Sequence, residues 1–539
     1  MSRRWFFTSL FAGLAVATAV LAVIRALAPP PLNVLLLTVE GARADIFSAE
    51  TTPELLAAAR SASRFTNHRT VSAWTGPNVI AQLTGLSPFQ QGVHTRGNAV
   101  SETWRLPLED LADAGWIIGG LQAFMQVDVF RHLGLELDPG KSPRDWLAER
   151  RSEHTPFFLW YHYLGTHLPY APSAPFRPDW ASLLPPADDA ARERIETVIR
   201  EPVVIAGTVP FEASDRPAVE ALYRAGFREF DAWFSSLWQF LGDSGLSENT
   251  IVILTADHGE ELLERGNVGH ASTTRAGHLH EEIVRVPLLV WLPPRLRDRL
   301  PTTVNAPSDH LDIMPTVMEF LGVTPSRRLA GYSLSSLPAT RPWSAVTSRA
   351  GYAEPDPDNL RRFLFAYLDH PWKLHLDRID GRDAAVRLYD IAQDPGESAD
   401  LVATHPDIVA RLRARLTPAI RAMRPPTGPG TSASGAAEVP GWIEPAGDGV
   451  FSYDDLGGRF RLRWSGPANA DYMVEYIAGT GEGALQGELQ VRGAEKDFGT
   501  IARLYWDTWI VRYGTFRLRV RPAGPGDKWS SWITLKARP

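Results

Sequence analysis

Two carboxylates and several histidines stand just beyond apolar runs in this chain of 539 residues. Glu40 follows the run Asn33–Val39, with Arg43 and Asp45 shortly after it. Asp257 and His258 follow the run Thr250–Thr255, and His270 comes further on. His167 follows the run Phe157–Leu164. Carboxylate and imidazole ligands together suit Zn²⁺ or Mn²⁺ better than Ca²⁺ or Mg²⁺. A lone Asp-His pair more often caps a helix or forms a salt bridge. The coincidence of carboxylates and histidines at corresponding strand ends points instead to a metal centre. Thr75 precedes Gly76-Pro77-Asn78 and a helix-like stretch reaching Leu83. A threonine with Pro just inside is a common helix start, which is a capping role. The same geometry offers backbone N–H groups and a positive dipole end to an anion. A hydroxyl placed there beside a metal can be activated as a nucleophile.

Elements must hold these residues at one end of one sheet. The apolar runs read as strands buried on both faces, and Trp116–Leu121 and Val286–Trp291 add two more. Pro53–Ala62 and Pro217–Leu241 between them are helix-like. Alternating strands and helices predict an α/β fold, with a parallel or mixed sheet sandwiched by helices. Ligands of such sheets sit outside the carboxyl ends of the strands. From about Arg361 short alternating segments predict a small antiparallel sheet, and Pro406–Leu416 a closing helix. The expected boundaries are a catalytic domain over 31–340 and a small C-terminal α+β subdomain over 341–423. A linker rich in Pro, Gly, Ala and Ser follows over 424–441, then a β-sandwich over 442–539.

Composition narrows the classes. The net charge is −7, without the basic excess of a nucleic-acid binder. The chain has no cysteine. That excludes disulfides, thiolate ligands and thiol nucleophiles, and any cofactor made by oxidising a cysteine. Arg3 and Arg4 precede an uncharged run from Trp5 to Ile24, long enough to span a bilayer core. Residues 1–30 therefore read as a single membrane anchor, with a cleaved signal peptide as the competing reading. The rest of the chain is expected outside the cytoplasm, in the periplasm or on the cell surface.

In order along the chain, these segments resemble the sulfatases and their relatives in the alkaline phosphatase superfamily. NVLLLTVEGARAD (33–45) resembles the opening metal motif, and TGPNVIAQLTGLSP (75–88) the nucleophile motif. FFLWYHYLGTHLPYAP (157–172) resembles the segment bearing the substrate-side histidine. TADHGEELLERGNVGH (255–270) resembles the second metal motif. SDHLDIMPTVMEFLGV (308–323) and LYDIAQDPGESADL (388–401) are further landmarks. The resemblance implies an alkaline phosphatase/sulfatase-like fold. Typical sulfatases carry Asp where Glu40 stands, and a Cys or Ser oxidised to formylglycine where Thr75 stands. Their nucleophile-motif Arg falls on Val79. Threonine cannot become formylglycine. Glu40, Thr75, Asp257 and His258 are instead similar to the set in phosphoethanolamine transferases and lipoteichoic acid synthases, whose threonine takes a phosphoryl group. The last segment resembles a fibronectin type III domain through Trp464, Tyr476, Phe516–Val520 and KWSSW.

The expected activity is hydrolysis of anionic phosphate or sulfate esters by a Thr nucleophile, with phosphoesters favoured. Glu40, Thr75, Asp257 and His258 would hold a divalent metal, Zn²⁺ or Mn²⁺ before Ca²⁺ or Mg²⁺. His167 and His270 would serve catalysis by contacting substrate oxygens or the leaving group, or help a second metal. Asn78 would bind the substrate anion, and Arg43 would support the metal loop. The alternatives are a transferase moving a phosphoryl head group onto an envelope glycan or lipid, and a non-catalytic sulfatase-like protein. One prediction concerns the anchor alone. Residues 31–539 expressed without it should run as a monodisperse species in light scattering without detergent. A need for detergent would show that a second membrane contact exists.

Overall fold

The computed structural model describes residues 31–94, 98–121, 129–130, 132–138, 141–150, 155–201, 204, 207–270, 277–348, 362–379 and 381–423, and, after these, 440–445, 449–451, 461–467, 471–478, 485–497, 510, 514–522 and 529–537. The expected anchor, most of the expected linker and part of the sandwich lie outside the described residues. Among the described residues no helix is long and apolar enough to cross a membrane.

Every residue of the strand Asn33–Val39 is buried, because it lies inside an eight-stranded sheet. The strand order is Thr303–Val304, Ser63–Phe65, Leu288–Trp291, Thr250–Ala256, Asn33–Val39, Phe157–Tyr163, Ile117–Leu121 and Glu136–Leu137. Asn33–Val39 is parallel to both neighbours. Leu288–Trp291 is antiparallel to both of its own, so the sheet is mixed, as expected. Leu35, Leu37 and Val39 pack into one apolar cluster and Val34 and Leu36 into the other. That is the two-residue period of a strand covered on both faces. The helix Arg216–Asp243 covers the first face with Phe227, Phe230 and Phe234. The helix Thr75–Thr84 covers the second with Val79, Ile80 and Leu83. The expected Pro53–Ala62 helix is shorter, a helix over Pro53–Ala58 that tightens into a 3₁₀ turn over Ala59–Ser61.

Polar pins lock the second helix to the sheet. Thr38 Oγ1 donates to Gln82 Oε1 at 2.7 Å, and Gln82 Nε2 donates to the Ala256 carbonyl at 3.0 Å. Trp160 Nε1 donates to Thr38 Oγ1 at 3.1 Å. Thr38 and Ala256 of two neighbouring strands thus meet one glutamine in the middle of the helix, and Trp160 of a third strand is tied to it through Thr38. Gly85 closes that helix at φ 64°, a left-handed position that suits glycine.

A four-stranded antiparallel sheet follows, made of Trp343–Ser348, Arg362–Asp369, Trp372–Ile379 and Arg382–Asp390. The helix Pro406–Ala422 buries Leu412 and Leu416 in a cluster with Leu374, Leu376 and Leu388 of that sheet. The C-terminal region holds a three-stranded and a five-stranded sheet. Trp464 of one is buried edge-on to Tyr472 of the other, with ring centroids 5.4 Å apart.

The Thr38 pin gives a stability prediction. Thr38→Val keeps the shape but strands Gln82 Oε1 and Trp160 Nε1 without their partner. Each orphaned buried group costs about 1–3 kcal/mol, so urea denaturation should show a loss of roughly 2 kcal/mol or more. Unchanged stability would mean that other groups satisfy both atoms.

Candidate active site

Strand register brings the acidic residues together. Val39 pairs with Ala256 on one side and with Tyr163 on the other. The residues that follow, Glu40 and Asp257, therefore leave neighbouring strands at one level. His162 pairs with Thr38 one position earlier. The result is a fully buried cluster. His258 Nε2 lies 3.1 Å from Glu40 Oε1 and 3.2 Å from Asp257 Oδ2. His162 Nε2 lies 3.1 Å from Glu40 Oε2 and 3.8 Å from Asp257 Oδ2. Thr75 Oγ1 is 3.4 Å from His258 Nε2.

Backbone groups orient the cluster. Asp257 Oδ1 accepts from Gly41 N at 3.0 Å and from His258 N at 2.9 Å. His258 Nδ1 donates to the Gly259 carbonyl at 2.8 Å, which fixes the ring and leaves Nε2 facing the carboxylates. Tyr223, from the long helix, donates to the Gly41 carbonyl at 2.7 Å and accepts from Arg43 N at 3.2 Å. Arg43 pairs with Asp45 at 2.9 Å and Glu264 at 2.7 Å and donates to the Glu260 carbonyl at 3.0 Å. It thus ties the loop after Glu40 to the loop after His258.

Charge is crowded here. Burial pushes the Glu40 carboxyl up, but the imidazoles of His162 and His258 outweigh it and hold it well below the usual range. Asp257, buried beside the Glu40 charge, is pushed up to about 6. Burial opposes charge on His258, yet Asp257 and Glu40 raise it to about 10. Burial also lifts Glu260 to about 7. Glu40 Oε1 and Oε2 and Asp257 Oδ2 are buried without completing a hydrogen bond. Unsatisfied carboxylate oxygens of this kind are costly unless a cation sits among them. Two sets of donor atoms lie within 4.8 Å of one another, Glu40 with His162 and Asp257, and Glu40 with His258 and His270. The residues present therefore fit a divalent cation.

The remaining expected residues fall in two groups. His167 and His270 are half-buried, and their rings stand 5.6 Å apart. The His270 ring lies 4.0 Å from that of His258, and its Nδ1 is 3.1 Å from Glu260 Oε1. Thr75 is the first residue of its helix, with Trp74 in the capping position and no side-chain cap. The capping reading of Thr75 is thereby corrected, because its hydroxyl faces His258. Asn78 was expected at the substrate. Its amide instead holds the preceding loop, accepting from Val71 N and Ser72 N and donating to the Ser72 and Trp74 carbonyls. Those four bonds fill the capacity of the amide. Val79, at the position of the sulfatase arginine, is buried in the apolar cluster.

His162 and Glu260 were not anticipated. His162 lies inside the run FFLWYHY, where it reads as one polar residue of a strand. The available signal was its place one strand over from Glu40. Glu260 follows the Asp-His pair within the same loop, a spacing that could have marked it.

Comparisons with known proteins agree on the architecture. The family profile described as Sulfatase matches residues 143–323. Arylsulfatase K of Xenopus laevis is 26% identical over 365 residues, covering 62% of this chain and 65% of that protein. Arylsulfatase A of Homo sapiens is 25% identical over 313 residues, covering 52% and 53%. The chain thus spans less than two thirds of these relatives. The solved phosphonate monoester hydrolase of Agrobacterium radiobacter superposes with a TM-score of 0.56 at 18% identity, over 73% of this chain and 96% of that one. A structure described in complex with its substrate D-glucosamine-2-N,6-O-disulfate gives a TM-score of 0.55 at 18% identity, over 73% and 98%. The profile match contains Asp257, His258 and His162, whereas Glu40 and Thr75 precede it. Residues 143–323 match the Sulfatase profile, and the α/β fold around them is similar to that of the solved phosphonate monoester hydrolase.

Proposed function

We propose that the chain is a metal-dependent hydrolase of anionic esters that uses Thr75 as nucleophile and favours phosphoesters over sulfate esters. The observation that carries this reading is the hydroxyl of Thr75, 3.4 Å from His258 Nε2, beside carboxylates short of positive charge. Glu40, Asp257, His258 and Thr75 would hold the cation, and their donor chemistry suits Zn²⁺ or Mn²⁺. When bound, such a cation offsets the negative charge and lowers the pKa of a hydroxyl beside it.

The residues of the chain divide the work. Thr75 Oγ attacks phosphorus, so that an Oγ–P bond forms while the ester P–O bond breaks and the alcohol leaves with a proton. Water then cleaves the phosphothreonine and restores the hydroxyl. The first-turn N–H groups of the Thr75–Thr84 helix present their positive end to the substrate oxygens. His167 and His270, on the half-buried side, are assigned the non-bridging oxygens or the departing oxygen. Sulfate is the poorer group here. Formylglycine hydrate can expel sulfate by collapsing to its aldehyde, but a threonine sulfate needs a second attack at sulfur. The names of the arylsulfatase relatives favour sulfate esters, and that of the phosphonate monoester hydrolase favours phosphorus. We also assign the chain to the outer side of a membrane, held by residues 1–30.

Two measurements test the reading. Elemental analysis after gel filtration should find Zn or Mn in the wild-type protein and none in Glu40→Ala or Asp257→Ala. Thr75→Ala should keep its metal while kcat falls by about a thousandfold or more. Full occupancy in Asp257→Ala would remove this cluster as the metal site. The second measurement compares an aryl sulfate with the matching aryl phosphate mono- and diesters on metal-loaded protein. Phosphoester turnover should have the higher kcat/KM, and sulfate release should stop after one equivalent. Sustained sulfate release at the higher kcat/KM would establish a sulfatase instead.

A further inference from the structure

The short helix Glu281–Val284 touches both halves of the site. On one side Gly259 N donates to the Ile283 carbonyl at 2.6 Å and Glu260 N to the Glu282 carbonyl at 3.0 Å. A Cβ on Gly259 would fall 2.0 Å from the Glu282 oxygen, so loop and helix meet at a distance that only glycine allows. On the other side Thr70 N donates to the Val284 carbonyl at 2.8 Å. From Thr70 the chain runs through Val71 and Ser72, both held by Asn78, to Thr75. One helix therefore spaces the loop of His258 from the loop of Thr75.

Four residues do not make a helix that is stable by itself, so its place must come from its anchors. Glu281 N donates to Glu397 Oε2 at 2.7 Å. Lys373 Nζ lies 2.9 Å from Glu281 Oε1 and 3.1 Å from Glu397 Oε1. Arg69 reaches Glu281 Oε2 at 2.8 Å, and His375 Nε2 lies 3.0 Å from Glu397 Oε1. Lys373 and Glu397 are fully buried. Glu397 sits at φ 51°, a backbone region that costs a non-glycine residue energy. Lys373 belongs to the antiparallel sheet and Glu397 to the turn after it. Neither comes from the sheet that carries the site.

We propose that Lys373 and Glu397 are positioning residues, which set the separation of His258 and Thr75 through the Glu281–Val284 helix. This rests on the roles assigned above to His258 and Thr75. A metal at the same cluster is the competing use, since donor atoms of His280, His375 and Glu397 lie within 4.8 Å of one another. The carboxylate of Glu397 is already surrounded by Lys373, His375 and the Glu281 N–H. Lys373 and Arg69 balance Glu281 and Glu397, so a buried cation would add charge with nothing to offset it.

The test compares Lys373→Met and the milder Glu397→Gln with Asp215→Asn. The last breaks a buried pair with Arg194, at 2.6 and 2.9 Å, away from this helix. Hydrogen exchange is followed at the Gly259, Glu260 and Thr70 amides, with Tm for each variant and kinetics on an aryl phosphate. At matched loss of Tm, exchange at those amides should rise about tenfold in the first two variants and stay near wild type in the third. The fall in kcat should be about tenfold to a hundredfold, with KM within about threefold. Exchange no faster than in Asp215→Asn would overturn the proposal, as would loss of a second equivalent of metal from Glu397→Gln. If the wild-type protein turns over no ester, the exchange arm still decides the positioning claim, and only the proposed function fails.

Discussion

Two carboxylates are buried against the same pair of imidazoles, so charge on one raises the cost of charge on the other. Much of the molecule serves that arrangement. Three parallel strands must keep register for Glu40, His162 and Asp257 to end side by side. The long helix must lie close enough for Tyr223 to hold the loop at Gly41. Arg43 must join the two acidic loops. Each of these contacts helps keep like charges where water cannot relieve them. The donor atoms gathered there fit a divalent cation.

How much of this was legible in the sequence depended on where chemistry met periodicity. Glu40, Asp257 and His258 could be read because each interrupts or ends a continuous apolar run. The mixed sheet followed from runs of strand length alternating with helical stretches. His162 escaped because aromatic neighbours make its run look like ordinary strand packing, and pairing register is not written in a single strand. Asn78 was misread for a related reason: its neighbours suggested an anion site, and only coordinates reveal that the loop takes all four of its bonds. The anchor of the Glu281–Val284 helix was invisible as well. Lys373 and Glu397 look like surface charges of a small alternating sheet until folding buries both against Glu281.

The segment matched by the Sulfatase profile and the expected departures from the sulfatase pattern occupy different stretches of chain. Residues 143–323 carry Asp257, His258 and their loop. Glu40, Thr75 and Val79, the positions expected to depart from the sulfatase pattern, all precede it. Thr75 and the Asp257–His258 pair come from separate parts of the chain, and the sheet and the Glu281–Val284 helix join them. Fold alone does not name a substrate.

The glutamine in the middle of the Thr75–Thr84 helix bears on what position 75 can tolerate. Gln82 grips Thr38 and the Ala256 carbonyl, so the helix can neither slide along the sheet nor roll on its axis without breaking buried bonds. The grip lies two turns from Thr75 and makes no demand on the side chain there. Position 75 then behaves as a socket in a fixed holder. Its side chain can be exchanged for another small one without breaking the bonds that hold the helix in place.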